Sequence, residues 1–320
     1  MDALLKLLAD GQFHSGDALG KALGVSRAAV WKKLQKLQEW GLELHSVRGK
    51  GYRLGPGVSL LTHEKLEQIP QVCSGEYQLK LLATSASTND EVQQFLKQNP
   101  GKKLICMAEY QASGRGRQGK QWVSPFASNL YMTLSWPVSK GMHTLEGLSL
   151  VVGLALAKGL SKLGIDDLKV KWPNDLYWRG QKLAGILIEI VGDLYGCCTV
   201  IIGVGLNVMM PATWQGKVSQ QFIDLASIIK DRIDRNEIAL AVLDSIFTAL
   251  DRFTKTGFAD FQEDWSVYDA CLNQPVKVIA GDNELFGVAR GVGNSGALIV
   301  EMADGQRQTF SGGEVSLRPL

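Results

Sequence analysis

The hydrophobic pattern of this chain changes its period twice, and that limits the folds open to it more than any other feature. Up to about Leu54, apolar residues recur at helical spacing. Between about Leu61 and Ala270, strand-like and helix-like runs alternate. From Cys271 onward every run is a short strand bounded by turn residues. A single core cannot serve three such patterns, and 320 residues exceed the length at which one core usually suffices. The expectation is three domains, at 1–60, 61–270 and 271–320.

In the front segment Leu4, Leu5, Leu7 and Leu8 form an apolar stripe that Gly11 stops, and Ser15 is placed to cap a helix running to Leu23. Gly24-Val25-Ser26 makes a tight turn. Ser26 then caps a helix from Arg27 to Trp40, in which Val30, Leu34 and Leu37 recur at spacings of four and three. Gly20, Gly24 and Val30 let two helices cross closely around that turn, which is the helix-turn-helix pattern. Residues 42–54 alternate and reverse at Arg48-Gly49-Lys50-Gly51, a hairpin with a basic tip, and Gly55-Pro56-Gly57 follows as a linker. The chain carries a net charge of +2, yet residues 1–54 alone hold nine Lys/Arg against five Asp/Glu. The basic surplus therefore sits on Arg27, Lys32, Lys33 and Lys36 of the third helix, and on Arg48, Lys50 and Arg53 of the hairpin, where phosphates of a duplex want positive charge. We expect DNA contact through Ser26, Arg27, Lys32, Lys33, Lys36, Arg48 and Lys50. One copy reads a half-site, so a dimer on a near-palindromic operator follows.

The middle segment predicts strands at 79–83, 104–109, 130–136, 169–171, 183–191 and 198–207. Helices are predicted at 88–98, 147–163 and 236–254, so that a mixed sheet is covered by helices. After Cys271, strands at 276–280, 285–292, 297–302 and 308–310 are separated by Gly281-Asp282, Asn294-Ser295-Gly296 and Asp304-Gly305, and a small barrel is the natural reading.

Chemistry concentrates in the middle. Gly114-Arg115-Gly116-Arg117-Gln118-Gly119-Lys120 leaves backbone amides open beside three cations, a composition adapted to a polyphosphate. It is neither a Walker loop nor the dinucleotide glycine pattern. Lys171-Trp172-Pro173-Asn174-Asp175 ends a strand, and Lys182-Leu183-Ala184-Gly185 opens the next after a turn at Arg179-Gly180, which places Asp175 and Lys182 on adjacent strands. Taken alone, each of these motifs also fits a basic loop, a turn or a solvated lysine; the combination points to chemistry.

Other classes recede. No apolar run reaches the roughly 18 to 20 residues that span a bilayer, and residues 1–10 carry Asp2, Lys6 and Asp10 where a secretion signal is apolar. A cytoplasmic protein without membrane contact is expected. The five cysteines (Cys73, Cys106, Cys197, Cys198, Cys271) lack metal-ligand spacing, and the four histidines (His14, His45, His63, His143) are scattered. No resident metal site is expected.

Ser87-Thr88-Asn89, the Gly114–Arg117 stretch, Lys171–Asp175, Lys182–Gly185 and Gly203-Val204-Gly205-Leu206-Asn207 occur in the order and spacing of biotin protein ligases. Together with the front and rear segments, the chain resembles the bifunctional class that is both biotin operon repressor and biotin–[acetyl-CoA-carboxylase] ligase. That resemblance implies an α+β fold class: an N-terminal winged helix-turn-helix, a central mixed β-sheet with helices of the class II synthetase-like biotin ligase fold, and a C-terminal SH3-like β-barrel. It implies a reaction of biotin with ATP and Mg²⁺ to give biotinyl-5′-AMP, followed by transfer to a lysine of a biotin carboxyl carrier protein. The same adenylate would act as corepressor, favouring the homodimer on the operator. By position, biotin would be bound by Ser87, Thr88, Asn89, Gln111, Arg115, Gly116, Arg117, Lys182 and Gly185. ATP and the adenylate would meet Arg117, Lys120, Trp122, Asn174, Asp175 and Asn207. The catalytic work would fall to Arg115, which retains the adenylate, to Lys182 near the carboxylate and α-phosphate, and to Asp175. The chain departs from the family at Ala86, often acidic, and at Gln118, a basic position of the loop. Three rival readings remain: a transcription factor that only senses a ligand, a ligase with an inert front segment, and lipoate attachment, against which the loop and front domain argue.

Overall fold

The computed structural model describes the chain except for residues 1, 9, 56–57, 139–144, 193–197, 230–233, 282, 313–314 and 320. Part of the expected linker (Pro56, Gly57), His143, Cys197 and Asp282 thus lie outside the described residues.

The front unit forms as its caps dictate. Ser15 and Ser26 stand in extended backbone and accept hydrogen bonds from the amides of Ala18 and Ala29 at 3.0 and 3.2 Å, opening helices α2 (Gly16–Leu23) and α3 (Arg27–Glu39) behind α1 (Asp2–Leu8). The turn between α2 and α3 admits no side chain at Gly20, whose Cβ would stand 2.7 Å from the Val25 carbonyl oxygen. Leu4, Leu8, Leu19, Val30, Leu34 and Leu37 are buried between the three helices. Strands β1 (Leu44–Val47) and β2 (Gly51–Leu54) make the wing. Tyr52 exchanges backbone hydrogen bonds with His14 in both directions, which ties the wing to the helices. The structure is a winged helix-turn-helix.

The middle unit is a seven-stranded mixed sheet. Its strands are β3 (Gln78–Leu82), β4 (Leu104–Ala108), β5 (Leu130–Val138), β6 (Leu168–Lys171), β7 (Asp175–Trp178), β8 (Gln181–Gly192) and β9 (Cys198–Leu206), in the order β3-β4-β5-β9-β8-β7-β6. Only β3 and β4 run parallel, and helix α4 (Thr88–Gln98) makes the crossover that such a pair requires. The apolar α5 (Leu148–Ser161) and the long α6 (Arg235–Thr256) pack together on one face, against Ile186, Val200, Ile202, Val204 and Leu206. Alternate residues of β8 and β9 point the other way, toward α4 and the site. Strand β7 was not read from the sequence; four residues between two turns are too few to show a period. At its end, Arg179 (φ 45) and Gly180 (φ 82) both take left-handed backbone, the hairpin geometry that matches strand twist.

In the rear unit β10 (Pro275–Ala280), β11 (Asn283–Val292), β12 (Leu298–Met302), β13 (Arg307–Phe310) and β14 (Val315–Pro319) form an antiparallel sheet in the order β13-β12-β11-β10-β14. A register shift between Ala289 and Val292, with Gly291 at φ 86, bends β11 and lets the sheet curl. Strand β14 was absent from the sequence reading. It pairs with β10, and its Ser316, Leu317 and Arg318 line the site.

Two sets of contacts join the front unit and its linker to the middle one. Trp40, at the end of α3, stacks on Tyr110 (4.9 Å between centroids) and Phe126 (6.2 Å). The linker is gripped by a buried ion pair: Glu109 accepts from the Leu61 amide at 2.7 Å, while Arg235 pairs with Glu109 and donates to the carbonyls of Ser59 and Asn129. Arg235 is 2% exposed and Glu109 5%. Removing the guanidinium leaves a carboxylate buried without its counter-ion, so Arg235→Ala is expected to cost about 3 kcal/mol or more in a denaturant titration. The double replacement Glu109→Gln, Arg235→Met, which removes both charges, should cost less than that.

Candidate functional site

Gly185, Gly203 and Gly205 leave a bare patch on the sheet face opposite α5 and α6. A Cβ at Gly203 would stand 2.3 Å from Asn89 Oδ1, and one at Gly205 2.4 Å from the Trp122 ring. Gly185 pairs with Gly205 across β8 and β9 and would press on the same ring at 3.0 Å. What the sequence presents as an apolar run is therefore two patterns interleaved: Val204 and Leu206 enter the core while the glycines admit side chains from α4 and the loop.

The first wall is the start of α4. Ser87, Thr88 and Asn89 are all buried. Gln111 Oε1 accepts from both the amide (2.9 Å) and the hydroxyl (3.1 Å) of Thr88, and its Nε2 donates to Ser124 Oγ at 3.1 Å. The Thr133 hydroxyl lies 2.8 Å from Thr88 Oγ1 and 2.7 Å from Asn89 Oδ1. Asn89 Nδ2 donates to Glu189 at 2.7 Å. A buried, cross-linked row of donors and acceptors of this kind holds its geometry when a polar ring replaces solvent against it.

The glycine-rich loop is the second wall. The Gly116 amide donates to the Lys120 carbonyl at 2.7 Å and the Trp122 amide to that of Gly114 at 2.8 Å, so the loop closes on itself. Arg115 pairs with Asp90 (2.7 Å) and Glu189 (3.1 Å). Arg117 donates to Asn174 Oδ1 at 3.2 Å and to the carbonyl of Gly312 in the rear unit. Burial holds its guanidinium below the ordinary arginine value, against the pull of Asp175.

Opposite lie the β6–β7–β8 hairpins. Asp175 and Lys182 stand on paired strands, as their motifs predicted, with Lys182 Nζ 2.8 Å from Asp175 Oδ1 and 5.5 Å from the Trp122 ring centroid. Burial draws the Lys171 ammonium below the usual lysine value, again opposed by Asp175. Asn207 donates to the carbonyls of Lys182 (3.4 Å) and Ile223 (3.2 Å), and Asn174 Nδ2 to that of Ile186 (2.7 Å). Both asparagines thus anchor backbone as well as lining the cleft.

All of these walls enclose one cavity of about 830 Å³, within the range of small-molecule sites. Every residue expected from the sequence to meet biotin or ATP lines it: Ser87, Thr88, Asn89, Gln111, Arg115, Gly116, Arg117, Lys120, Trp122, Asn174, Asp175, Lys182, Gly185 and Asn207. Sequence reasoning missed Thr133, Ser124 and Glu189, the segment from Lys217 to Gln220, and Arg318 of β14. A lone threonine inside the apolar strand Leu130–Trp136 was the one signal that pointed to any of them. Among the described residues no group of three or more His, Cys, Asp or Glu could hold a metal ion, and no helix is long and apolar enough to cross a membrane.

The expected DNA-contact residues lie together on the front unit. Arg27, Lys32, Lys36, Arg48 and Lys50 are exposed and Lys33 is half-buried. Ser26 spends its hydroxyl on the cap of α3, and the Lys36 ammonium lies 4.8 Å from the Trp40 ring centroid. Trp31, which the sequence reading passed over, is 47% exposed on the same helix.

Known proteins share this architecture. Models of the biotin/lipoate A/B protein ligase family, of an HTH domain and of the biotin protein ligase C terminal domain match residues 81–207, 1–53 and 271–318. The chain is 41% identical over 320 residues to the bifunctional ligase/repressor BirA of Escherichia coli, covering 98% of this chain and 96% of that one. Identity to the BirA of Bacillus subtilis is 26% over 305 residues, 95% of this chain and 94% of that one. The solved biotin protein ligase of Aquifex aeolicus in complex with biotin and ATP superposes with a TM-score of 0.65 at 26% identity, over 76% of this chain and 99% of that one.

Because the ring of Trp122 rests where Gly205 has no side chain, Gly205→Ala is expected to overpack the cleft and cost about 1–3 kcal/mol. A thermal melt, followed by tryptophan fluorescence, measures both the loss and the displacement of the ring.

Proposed function

The chain belongs to the biotin protein ligase family, and we propose that it joins biotin to a carrier-protein lysine at the expense of ATP and represses its operon when charged with the intermediate. The observation that carries the ligase reading is the single cavity in which a buried polar row, a cationic glycine loop and a Lys–Asp pair face one another.

The chemistry runs in two steps. A carboxylate acylates nothing by itself, so a biotin carboxylate oxygen attacks the α-phosphorus of ATP, forming the mixed anhydride biotinyl-5′-AMP and releasing pyrophosphate. Negative charge builds on the phosphate oxygens. Lys182, Arg115 and Arg117 oppose it with fixed charge, and the closed loop keeps water from the anhydride. Magnesium carried by the nucleotide would neutralise part of its phosphate charge. In the second step the carrier's lysine amine attacks the acyl carbon and AMP leaves. That amine must first shed a proton, its free pKa being about 10.4, and Asp175 orients or accepts it in this reading, supported by its pairing with Lys182 at the cavity. Ser87, Thr88, Asn89 and Gln111 supply donors and acceptors for the ureido ring. Trp122 offers an aromatic face to adenine, with Lys120, Asn174 and Asn207 around the nucleotide.

For repression, residues 1–60 bind the operator, 61–270 carry the ligase and 271–320 close the cleft through β14. The cytoplasm is where both partners, carrier and operator, are met. Support for coupling comes from three consecutive residues at the end of β4: Glu109 grips the linker, Tyr110 stacks on the end of the recognition helix, and Gln111 lines the cavity. A ligand that adjusts Gln111 thereby acts on the seat of the DNA-binding unit, and adenylate-filled chains pair as homodimers on the two half-sites.

Incubation with biotin, Mg-ATP and a carrier domain should add one biotinyl group to the carrier, read by mass, with release of AMP and pyrophosphate; an unchanged carrier refutes the ligase. Lys182→Ala should cut pyrophosphate release by roughly 10²-fold or more at an unshifted melting temperature. Arg115→Gly should spread biotin onto bystander proteins. Operator binding should tighten when biotin and ATP are both present, and Lys50→Ala should weaken it on every sequence while lowering the salt slope by about 1.

A further inference from the structure

Helix α3 carries two stripes at helical spacing. Val30, Leu34 and Leu37 form the buried one. The other is Ala28, Trp31, Lys32 and Gln35, spaced i, i+3, i+4 and i+7 and exposed at every position. Among the described residues five large apolar side chains are exposed, and Trp31, at 47%, is the only tryptophan of the five. The ligase chemistry gives it no task. The other tryptophan of α3, Trp40, is an indole spent on the fold itself, stacked on Tyr110 and Phe126. Charge around Trp31 is one-sided: the helix holds Arg27, Lys32, Lys33 and Lys36 against Glu39 alone, Asp17 of α2 lies 3.8 Å from Arg27, and the wing adds Arg48, Lys50 and Arg53 with no acid in either strand.

We propose that Trp31 is a specificity-determining residue that reads a thymine, its ring covering the C5-methyl group in the major groove. The proposal rests on the operator-binding reading and adds to it the base chemistry that is recognised. An indole ringed by cations fits a surface that is anionic at its edges and apolar at one spot. The major groove of a duplex is such a surface, since phosphates line it and the thymine methyl is its apolar group. In a helix-turn-helix the second helix presents its amino-terminal part to the base edges, and Trp31 opens the second turn of α3. Ala28, one turn earlier, extends the apolar patch, while Lys32 and Gln35 on the same stripe suit the hydrogen-bonding edges of neighbouring bases. Arg27, Lys36 and the wing cations then supply strength without sequence preference. The competing account is that Trp31 meets a second copy of this chain, which would bring two basic faces together at a cost in repulsion.

The test uses the full chain with biotin and Mg-ATP, first to select a duplex from a random pool and then to bind that duplex with each thymine replaced in turn by uracil, which removes only the methyl group. At one position of each half-site uracil should weaken binding about four-fold, the worth of one buried methyl. Trp31→Ala, a change to the best helix former at an exposed site, should weaken binding of the selected duplex and abolish the difference between thymine and uracil there. Trp31→Phe, which keeps a ring, should retain part of that difference. Lys50→Ala, by contrast, should weaken both duplexes alike and leave the uracil penalty in place. A selected site at which no uracil matters, or a penalty that persists in Trp31→Ala, overturns the assignment while leaving operator binding intact. So does a loss of self-association by Trp31→Ala in the absence of DNA, read by sedimentation, because the ring then belongs to a contact between copies. A parent chain that selects no duplex overturns the repressor reading and this one with it. The uracil scan of the parent chain requires no variant to fold.

Discussion

A sheet face without side chains is the constraint on which the rest of this molecule depends. Gly185, Gly203 and Gly205 leave room on β8 and β9 for Asn89 and the Trp122 ring to lie against backbone. Any other residue at Gly203 or Gly205 would place a Cβ within 2.5 Å of those groups. The neighbouring Val204 and Leu206 hold the opposite face in the core against α5 and α6. Site and core are thus two sides of the same strands, and the long antiparallel pairing of β5, β9 and β8 keeps them in register.

On that floor three cations of the cleft are held by protein partners. Lys182 is paired with Asp175, Arg115 with Asp90 and Glu189, and Arg117 rests on Asn174 and a carbonyl of the rear unit. Partners of this kind orient cations before a ligand arrives, and preorganised charge is what stabilises a transition state gaining negative charge. Burial works in the opposite sense on Lys171 and Arg117, drawing both below their usual values.

The three units are joined at points that matter to the cleft. Trp40 ends α3 on Tyr110, one residue from Gln111; Arg235 and Glu109 clamp the linker to the same strand end; Gly312 brings the rear unit to Arg117 of the glycine loop, and Arg318 brings it to the cavity. The three residues that follow β4 thus touch the linker, the front unit and the cleft in turn.

Much of this was legible beforehand where the chemistry is local. Ser15 and Ser26 announce their helices because a cap needs only the next three residues, Arg179-Gly180 announces its turn, and the change of period marks off the three units. The motif residues that line the cleft were recognisable by type and order. Thr133, Glu189, Arg318 and the Lys217–Gln220 segment were not, since each looks ordinary beside its chain neighbours and gains meaning only from residues far away in the sequence. Short β7 and β14 were missed for the same reason: four or five residues show no period, and their partners define them. The sequence by itself determined the three patterns, the caps and the loop composition, all set by interactions within a few residues. Which distant side chains share one cavity, and which carboxylates hold which cations, was decided only by the tertiary structure, because burial and charge pairing depend on what the fold brings together.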